Sequence, residues 1–327
     1  MKIVITGGAG FLGRRLAETL LERGVLMGAD GRDARINRIT LVDVVPAPGL
    51  TDGRVRQITG DVADRQLLAR AIDAETTSVF HLAAIVSGQA EADFDLGMRV
   101  NLDASRHLLE ICRTHGQRPR VVFTSSVAVY GGDLPATVPD DLAVTPQTSY
   151  GTQKAMAELL INDYTRRGFV DGRSLRLPTI SVRHGRPNAA ASSFASGIIR
   201  EPLNGEISVC PVGAATRVWL LSPRTVVECF IMAHDIDGAK LGSNRLLSLP
   251  GMSITVGEMV ASLARVAGAD VAARVRFEPD ARIERMVATW PGEVAATRAR
   301  ALGFPSDTDF DEIVRRYMAE AGIAVSR

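Results

Sequence analysis

The chain has 327 residues, of which 46% are hydrophobic, and it carries a formal net charge of +1 at neutral pH. This length and apolar content are enough for one large α/β domain and a smaller lobe. The near-zero charge gives no electrostatic reason to expect a partner such as nucleic acid or an anionic membrane. We therefore expect no nucleic acid and no membrane among its partners.

The amino terminus and the cysteine content indicate a cytoplasmic protein. No apolar run approaches the roughly 20 residues of a membrane-spanning helix. The chain enters an apolar run directly after Met1-Lys2, which leaves no room for a signal peptide. The three cysteines are odd in number and far apart, as expected of reduced thiols. The five histidines show no metal-ligand spacing, so we expect no metal ion.

The first 22 residues combine an apolar strand, a glycine-rich turn and an amphipathic helix. The apolar run Ile3-Val4-Ile5 leads into Thr6-Gly7-Gly8-Ala9-Gly10-Phe11-Leu12-Gly13. Glycines in this context allow a tight turn and a close approach of the backbone to a pyrophosphate. The start of the helix then offers free N–H groups to the phosphates. Gly7, Gly10 and Gly13 therefore predict a dinucleotide site, with Gly13 allowing close packing of helix on strand.

A carboxylate at the end of the second predicted strand, Ile39–Asp43, indicates which dinucleotide binds. An acid at this position accepts hydrogen bonds from the adenosine ribose and repels a 2′-phosphate. No Lys or Arg lies between residues 44 and 50. Asp43 therefore predicts NAD rather than NADP. It lies thirty residues beyond Gly13, so we interpret residues 25–38, rich in Gly, Asp and Arg, as a surface insertion.

Tyr150 and Lys154 lie four residues apart in a predicted helix, which places a phenol and an ammonium on one face. An unperturbed phenol has a pKa near ~10, so a base that works near pH 7 needs about 4 kcal/mol of preferential stabilisation of the phenolate. A neighbouring cation supplies part of this stabilisation. The alternative is a solvated helix face that carries both residues by chance. The upstream glycine motif favours a catalytic pair.

Strands and helices alternate through the first half of the chain, which predicts a Rossmann-type, doubly wound parallel sheet. Ligands bind such sheets at the carboxyl ends of the strands. We expect an NAD-binding domain over residues 1–182, to which 217–249 returns, and a smaller C-terminal substrate lobe formed mainly from 183–327. The predicted strands cover 3–5, 39–43, 55–60, 79–84, 120–126, 174–182 and 245–249, and the predicted helices 14–22, 64–72, 92–114, 148–167, 223–234, 255–267 and 310–321.

These motifs together resemble the extended short-chain dehydrogenase/reductases, a family that includes NAD-dependent epimerases and dehydratases. The resemblance is close over residues 1–182 and rests on the glycine motif, Gly60-Asp61-Val62, His81-Leu82-Ala83-Ala84, Asn101, Thr124-Ser125-Ser126 and Tyr150 with Lys154. It implies contacts to the pyrophosphate by Phe11 and Leu12, to the adenine by Asp61 and Val62, and to the nicotinamide side by Leu82, Ala83, Ala84 and Pro178.

The resemblance also implies catalytic roles. Ser126 would be the catalytic hydroxyl, and Lys154 would both lower the pKa of Tyr150 and bind the nicotinamide ribose. Asn101 would act as a relay or a backbone clamp near Lys154, whereas His81 has a structural role. The helices 92–114 and 148–167 would form the contact of a homodimer.

Two departures narrow the expected substrate. Sugar-nucleotide enzymes of the family usually carry Phe-Asn where this chain has Pro178-Thr179, and an acidic pair where it has Ser222-Pro223-Arg224. The segments 175–188 and 217–224 are instead similar to a branch of D-erythronate dehydrogenases. That likeness implies NAD-dependent oxidation of the C2 hydroxyl of a small, anionic sugar acid.

A short carboxylate substrate needs a planar, bidentate cation. Arg183 and Arg217 are candidates for this role, supported by Asn188, Ser192 and Ser193. The alternative is that both arginines form structural ion pairs. Two other functions also remain open, namely a nucleotide-sugar 4-epimerase or dehydratase, and a non-catalytic regulator that senses NAD.

Overall fold

The computed structural model describes residues 1–185 and 190–323. Fourteen strands are assigned in this part of the chain: β1 Lys2–Thr6, β2 Val25–Met27, β3 Asp33–Arg35, β4 Arg38–Asp43, β5 Val55–Thr59, β6 Thr76–His81, β7 Arg120–Ser126, β8 Asp171–Leu177, β9 Thr179–Ile180, β10 Ser208–Cys210, β11 Arg217–Leu221, β12 Leu246–Ser248, β13 Met252–Thr255 and β14 Val275–Phe277.

Fourteen α-helices are assigned in the same described ranges: α1 Phe11–Arg23, α2 Arg65–Ala71, α3 Ser87–Ala92, α4 Phe94–Gly97, α5 Ala104–His115, α6 Ser149–Arg166, α7 Phe194–Leu203, α8 Pro223–Asp235, α9 Gly238–Leu241, α10 Val256–Ala267, α11 Ala269–Ala272, α12 Ala281–Val287, α13 Thr297–Ala301 and α14 Phe310–Glu320. A π-helical segment, Met98–Asp103, joins α4 to α5, and short 3-10 turns cover Val127–Val129 and Ala191–Ser193.

The central sheet has seven strands in the order β12-β8-β7-β6-β1-β4-β5. The pairs β1–β4, β1–β6, β4–β5 and β6–β7 are all parallel. β1 lies between β6 and β4 and is buried along its length because apolar side chains alternate onto both covered faces. The prediction of a Rossmann-type α/β sheet is confirmed. The carboxyl ends of β1, β4, β6 and β7 therefore lie along one edge of this sheet.

Residues group into two compact units. The first unit contains residues 1–126, 148–176 and 227–247, and the second contains 127–147, 177–226 and 248–327. The predicted first domain differs from the first unit in four places, of which 177–182 and 248–249 are short segments that group with the second unit. Residues 127–147 group with the second unit, and so do 217–226 of the segment expected to return.

The second unit has its own sheets and its own core. β11 pairs with β13 in antiparallel and with β9 in parallel, and β10 pairs with β14. An apolar cluster forms where α7, α10 and α14 pack together, with Ile198, Met259 and Val314 fully buried in it. Strand pairs and helices of this unit thus have a core of their own.

Three predicted elements differ most from the structure. The helix predicted over 92–114 is interrupted after Ala92, where the Asp93 side chain accepts the Leu96 N–H and starts a new helix, and it then passes through the π-helical segment. The strand predicted over 174–182 divides at Pro178, which has no N–H to donate, into β8 and β9 of two different sheets. The strand predicted to end at Ala84 ends at His81.

The insertion predicted over 25–38 folds as an antiparallel hairpin of β2 and β3. It is not wholly exposed, because Leu26 and Ile36 are fully buried. The Arg120 guanidinium also donates to the carbonyl oxygens of Met27 and Gly28. The segment is therefore fixed to the first unit at the amino end of β7.

Candidate active site

The glycine-rich turn after β1 leaves no room for side chains. Gly7 has φ +70°, and a Cβ there would lie 2.8 Å from the backbone nitrogen of Ala83. A Cβ on Gly13 would lie 2.1 Å from the Gly7 carbonyl oxygen, and one on Gly10 3.1 Å from the same atom. Gly7 and Gly13 are therefore required by close backbone contact, and Gly10 is in a tight contact. The turn thus presents bare backbone at the start of α1, which is the geometry that a pyrophosphate needs.

Asp43 lies beside this turn. Its Oδ2 accepts the Ala9 N–H at 3.0 Å, and the turn is also held to β4 by the Gly7 N–H, which donates to the Val42 carbonyl oxygen at 2.8 Å. The structure therefore brings the predicted ribose-binding carboxylate and the predicted phosphate loop together, despite the long insertion between them in sequence.

Asp61 and Val62 follow β5 at the same edge of the sheet. Asp61 accepts the Ala63 N–H at 2.9 Å and forms an ion pair with Arg99 of the π-helical segment. Partial burial raises the pKa of Asp61, but the hydrogen bonds from Arg99 and from the Ala63 N–H, together with the Arg99 charge, outweigh it and the net pKa is lowered. The Val62 side chain is buried against Leu67 and Leu68. Adenine contacts from Val62 would therefore come from its backbone.

Leu82, Ala83 and Ala84 lie directly beyond the end of β6. The Leu82 N–H donates to the Thr6 carbonyl oxygen at 3.1 Å, and the Ala83 backbone touches Gly7. His81 is fully buried, with Nδ1 2.7 Å from Thr6 Oγ1 and Nε2 2.9 Å from Ser105 Oγ. Burial, and then the charge of Lys154, lower the pKa of His81 to about 3. His81 is therefore a neutral structural residue.

Tyr150 and Lys154 occupy the first two turns of α6. The helix starts at Thr148, whose side-chain oxygen accepts the Gly151 N–H, while Glu91 accepts the Ser149 N–H. Lys154 is 1% exposed, and its Nζ lies 5.7 Å from the centre of the Tyr150 ring. Burial lowers the pKa of Lys154 to about 7. The predicted phenol and amine are therefore neighbours in space, and not residues on a solvated face.

The Lys154 amine also ties α6 to β7. It donates to the Thr124 carbonyl oxygen at 2.8 Å and lies over the Phe123 ring. Ser126 is the last residue of β7, two positions beyond Thr124. The predicted catalytic hydroxyl and the predicted catalytic pair are thus carried by two elements that are bonded to each other.

Asn101 lies in the π-helical segment and is 1% exposed. Its Oδ1 accepts the Ile85 N–H at 2.8 Å, while its Nδ2 donates to the Ile85 carbonyl oxygen at 3.1 Å and to Gln153 Oε1 at 2.7 Å. Gln153 is in turn the residue before Lys154. These contacts describe a backbone clamp that joins the loop after β6 to α6, and π-helical turns are frequent at functional sites.

Glu158 was not identified from the sequence, although it lies one helical turn beyond Lys154. The residue is 6% exposed, and its carboxylate pairs with Arg176 at 2.8 and 3.0 Å and accepts a hydrogen bond from the Ser125 hydroxyl. The signal that could have revealed it is a charge in each of two apolar runs, Ala157-Glu158-Leu159 and Leu175-Arg176-Leu177.

The predicted substrate-binding residues belong to the second unit. The Arg183 N–H donates to Ser196 Oγ at 3.0 Å, and Ser181 Oγ donates to the Ala195 carbonyl oxygen. Ser192 and Ser193 form the turn that leads into α7, so they lie near Arg183. Pro178 is buried between β8 and β9. Asn188 lies outside the described residues.

Arg217 is not close to Arg183. β9 and β11 run parallel with Leu221 opposite Ile180, so that Arg217 precedes the paired segment while Arg183 follows it. The two arginines therefore lie towards opposite ends of this strand pair and do not form one clamp. Arg217 is exposed, and its guanidinium lies 3.3 Å from Ser253 Oγ.

Two further features bear on the kind of site. In residues 1–185 and 190–323, no group of three or more His, Cys, Asp or Glu side chains is arranged to hold a metal ion. Within the same ranges, no helix is both long and apolar enough to cross a membrane.

The turn geometry fits a dinucleotide, because side chains at Gly7 or Gly13 would collide with the backbone of the turn that a pyrophosphate approaches. The family model described as "NAD dependent epimerase/dehydratase family" matches residues 3–240. The chain belongs to this family and is an NAD-dependent oxidoreductase of the extended short-chain dehydrogenase/reductase type. The predicted family and cofactor are confirmed.

Individual relatives agree over almost the whole chain. A D-erythronate dehydrogenase of Cupriavidus necator is 61% identical over 324 residues, covering 99% of this chain and 100% of that protein. A D-erythronate dehydrogenase of Haemophilus influenzae is 48% identical over 319 residues, with coverage of 97% and 99%. The crystal structure of a protein from Agrobacterium tumefaciens, described as a nucleoside-diphosphate-sugar epimerase, superposes with a TM-score of 0.92 at 45% identity, covering 100% and 96% of the two chains.

Proposed function

We propose that this protein oxidises the C2 hydroxyl of a small sugar acid such as D-erythronate to the 2-oxo acid, with NAD as the oxidant. The observation that carries the proposal is the buried Lys154 amine, which lies beside the Tyr150 ring and is bonded to the strand that ends in Ser126. The substrate class comes from the two D-erythronate dehydrogenases, whose identity of 61% and 48% extends over nearly the full chain.

In the proposed mechanism Tyr150, Lys154 and Ser126 each have one role in the chemistry. Tyr150, as the phenolate, removes the proton from the substrate hydroxyl. The Lys154 ammonium lowers the pKa of Tyr150 by favouring its charged form. Ser126 donates a hydrogen bond to the reacting oxygen and steadies the developing carbonyl. NAD, when bound, supplies the hydride acceptor.

The proposed cofactor-binding residues lie mostly at the carboxyl ends of the strands of the central sheet. We propose that Gly7, Gly10, Phe11, Leu12 and Gly13 hold the pyrophosphate and that Asp43 binds the adenosine ribose. The remaining proposed contacts are Asp61 and Val62 at the adenine, and Leu82, Ala83, Ala84, Tyr150, Lys154 and Pro178 on the nicotinamide side. Asn101 belongs to this proposed group as well, and its side-chain amide, bonded to Ile85 and Gln153, clamps the loop after β6 to α6.

For the substrate carboxylate we favour Arg217 over Arg183. Arg217 is exposed and forms no ion pair with any residue in the described ranges, so its planar fork is available for a carboxylate. Arg183, with Ser192, Ser193 and Asn188, is the alternative site for the carboxylate, because the two arginines lie towards opposite ends of the β9–β11 pair and cannot both contact one four-carbon acid. Arg217→Lys should raise KM for the acid about tenfold or more at little cost in kcat, because an ammonium cannot form the bidentate pair. An effect of this kind in Arg183→Lys alone would reverse the assignment.

The test of the proposed reaction is a substrate panel. Wild-type protein is incubated with D-erythronate, L-threonate, other four- and five-carbon aldonic acids, and UDP-sugars, each with NAD and with NADP. We expect net NADH formation with a four-carbon acid and NAD. If turnover is found only with UDP-sugars, the proposed function is wrong.

The likeness to the Agrobacterium tumefaciens protein, described as a nucleoside-diphosphate-sugar epimerase, supports an epimerase as a second candidate. An epimerase returns its reduced cofactor within each catalytic cycle and accumulates no NADH. The same panel therefore separates the two candidates, since UDP-sugar interconversion without NADH formation would favour the epimerase. Two features oppose it. Pro178-Thr179 stands where sugar-nucleotide enzymes of the family usually carry Phe-Asn, whose Asn helps to hold the diphosphate, and Ser222-Pro223-Arg224 stands where they tend to have an acidic pair.

We also propose that the protein is a cytoplasmic homodimer. Leu159 is 72% exposed on α6, which is one of the two helices that the family resemblance implies in the dimer contact. The three cysteines are buried and form no disulfide bond among the described residues, which agrees with a reducing compartment. Light scattering should give the mass of a dimer for the wild type, and Leu159→Glu should give that of a monomer.

A further inference from the structure

Two consecutive residues at the end of β7 are bonded to two successive turns of α6. The Thr124 carbonyl oxygen accepts from Lys154 Nζ at 2.8 Å, and the Ser125 hydroxyl donates to the Glu158 carboxylate. Ser126 is the next residue in the strand. The position of Ser126 relative to α6 is therefore set by one contact through Lys154 and one through Glu158.

Arg176 completes this arrangement from the neighbouring strand β8. Its Nε donates to Glu158 Oε1 at 3.0 Å and its NH2 group to Oε2 at 2.8 Å, which is the bidentate geometry of a strong charge-assisted pair. The side chains of Arg176 and Glu158 are 5% and 7% exposed. Three elements, α6, β7 and β8, thus meet at one buried carboxylate.

A buried ion pair is a weak means of stabilising a fold, because the loss of hydration offsets most of its attraction. An apolar pair of the same size would serve packing equally well at this position. The Glu158 carboxylate does have a second charged neighbour, since Lys154 lies one turn away on the same helix. The proposed chemistry needs that amine as a cation, in a place where burial favours its neutral form.

We infer that Glu158 is a positioning residue for the reaction: its carboxylate is the counter-charge that keeps Lys154 protonated beside Tyr150, and its bonds to Ser125 and Arg176 fix Ser126 against that pair. This inference rests on the proposed function, because it assumes the Tyr150, Lys154 and Ser126 chemistry. Glu158 does not touch substrate or cofactor in this role; it acts through Lys154 and through the end of β7.

The charged or titratable groups around Lys154 and Glu158 come from three elements. α6 contributes Tyr150, β6 contributes the neutral His81, and β8 contributes Arg176. The helices packed against α6 also carry acids, but Glu91 is bonded to the Ser149 N–H and Glu110 to Tyr164 at the far end of α6. The Glu158 carboxylate raises the pKa of Lys154 and so opposes the effect of burial.

Removal of the Glu158 carboxylate should lower the pKa of Lys154, because a cation paired with a carboxylate has a raised pKa. Activity that requires the Lys154 ammonium is present below that pKa and is lost as the pH rises through it. In Glu158→Gln the basic limb of the kcat–pH profile should therefore move to lower pH by about one unit or more. Activity at high pH should fall about tenfold relative to the optimum of the same variant.

The experiment measures kcat and KM against pH for wild type, Glu158→Gln and Glu158→Asp, with the sugar acid and NAD. Gln preserves the shape of the side chain and removes its charge, whereas Asp preserves the charge and shortens the arm. We expect the basic limb to move in Glu158→Gln and to stay near its wild-type position in Glu158→Asp. If the basic limb of the kcat–pH profile does not move in Glu158→Gln, the inference is overturned. It is also overturned if the basic limb moves further in Glu158→Asp than in Glu158→Gln.

Glu158→Gln leaves the buried Arg176 charge without its partner and can impair folding. The double variant Glu158→Gln/Arg176→Gln removes both charges and is measured in the same way. The basic limb of its kcat–pH profile should also move to lower pH. Glu110→Gln is the matched control, since Glu110 also bonds a side chain of α6, but at the end remote from Lys154. Its profile should coincide with that of the wild type.

Tyr150→Phe separates the inference from the proposed function. If Tyr150→Phe turns over at nearly the wild-type rate, the proposed chemistry itself is wrong. If Tyr150→Phe is inactive while the profiles of Glu158→Gln and wild type coincide, the chemistry stands and Glu158 is only a structural residue.

Discussion

Strands β7 and β8 carry a buried charged cluster at each end, and the two clusters differ in what they contact. At the amino ends, Asp171 pairs with Arg173 at 2.9 Å and with Arg245 at 3.0 Å, and Arg120 lies 3.8 Å away. At the carboxyl ends, Glu158 pairs with Arg176.

Among the described residues, the amino-end cluster contacts only elements that have no proposed role in catalysis or binding. Its arginines bond the hairpin of β2 and β3 and the carbonyl oxygen of Ile236. The carboxyl-end cluster instead adjoins Lys154 and Ser126. Ligands bind parallel sheets beyond the carboxyl ends of the strands. Similar ion pairs on the same strands should therefore affect stability at one end and catalysis at the other.

The largest expected effect is at the carboxyl end. Tyr150→Phe removes the proposed base but keeps the ring, so kcat should fall by about 10³-fold while NAD binding and the unfolding midpoint stay near their wild-type values. Steady-state rates, a titration of NAD binding and thermal unfolding measure the three quantities. A kcat within about tenfold of the wild type would leave Tyr150 with no role as a base.

The second effect belongs to the amino end. Asp171→Asn leaves the fully buried Arg173 without its carboxylate, so the free energy of unfolding should fall by about 3 kcal/mol. Because no proposed site residue contacts Asp171, kcat should stay within about twofold of the wild type. Urea denaturation and steady-state kinetics measure both. A large loss of kcat in a folded Asp171→Asn protein would show that the amino-end cluster also affects catalysis, and would contradict the comparison.

A smaller effect is expected at the glycine-rich turn. Asp43→Ala removes the proposed ribose contact and the bond to the Ala9 N–H, so the dissociation constant for NAD should rise about tenfold and the preference for NAD over NADP should weaken. Calorimetric titration with each cofactor measures both changes. Unchanged constants would mean that the adenosine ribose is bound elsewhere.

The smallest effect concerns two buried histidines, one near each end of the sheet. Burial lowers the pKa of His81 to about 3 and also lowers the pKa of His234, which Asp235 partly offsets. Below pH 6.5 the unfolded chain binds protons at these rings that the native protein does not bind. Between pH 6.5 and 5.5 stability should therefore fall by at most about 1.4 kcal/mol for each ring. Urea denaturation at several pH values measures this slope, and His81→Asn should make it shallower.

The sequence was sufficient for the elements that local chemistry determines. Short apolar runs predicted β1, β4 and β7, and the spacing of Tyr150 and Lys154 predicted that they are neighbours on α6. Their burial and the bond from Lys154 to Thr124 were not predictable, because they depend on residues 30 positions apart. The break at Asp93 and the π-helical segment were missed because the apolar periodicity of residues 92–114 resembles that of one continuous helix.

The pair of Glu158 and Arg176 is the part of the site that sequence reasoning could not supply. Glu158 is separated from Ser125 by 33 residues and from Arg176 by 18, and only the packing of α6 across β7 and β8 brings them together. The position of Arg217 relative to Arg183 likewise depends on the pairing of β9 with β11. Long-range contacts of this kind leave no periodic pattern along the chain.

The most direct test of the proposed reaction uses D-erythronate that carries deuterium at C2, incubated with wild-type protein and NAD. Oxidation at C2 predicts that reduced cofactor accumulates in equal amount to the 2-oxo acid and that mass spectrometry finds the deuterium in the reduced cofactor. Reduced cofactor without deuterium, or no net reduction while a UDP-sugar is converted, would contradict oxidation at C2.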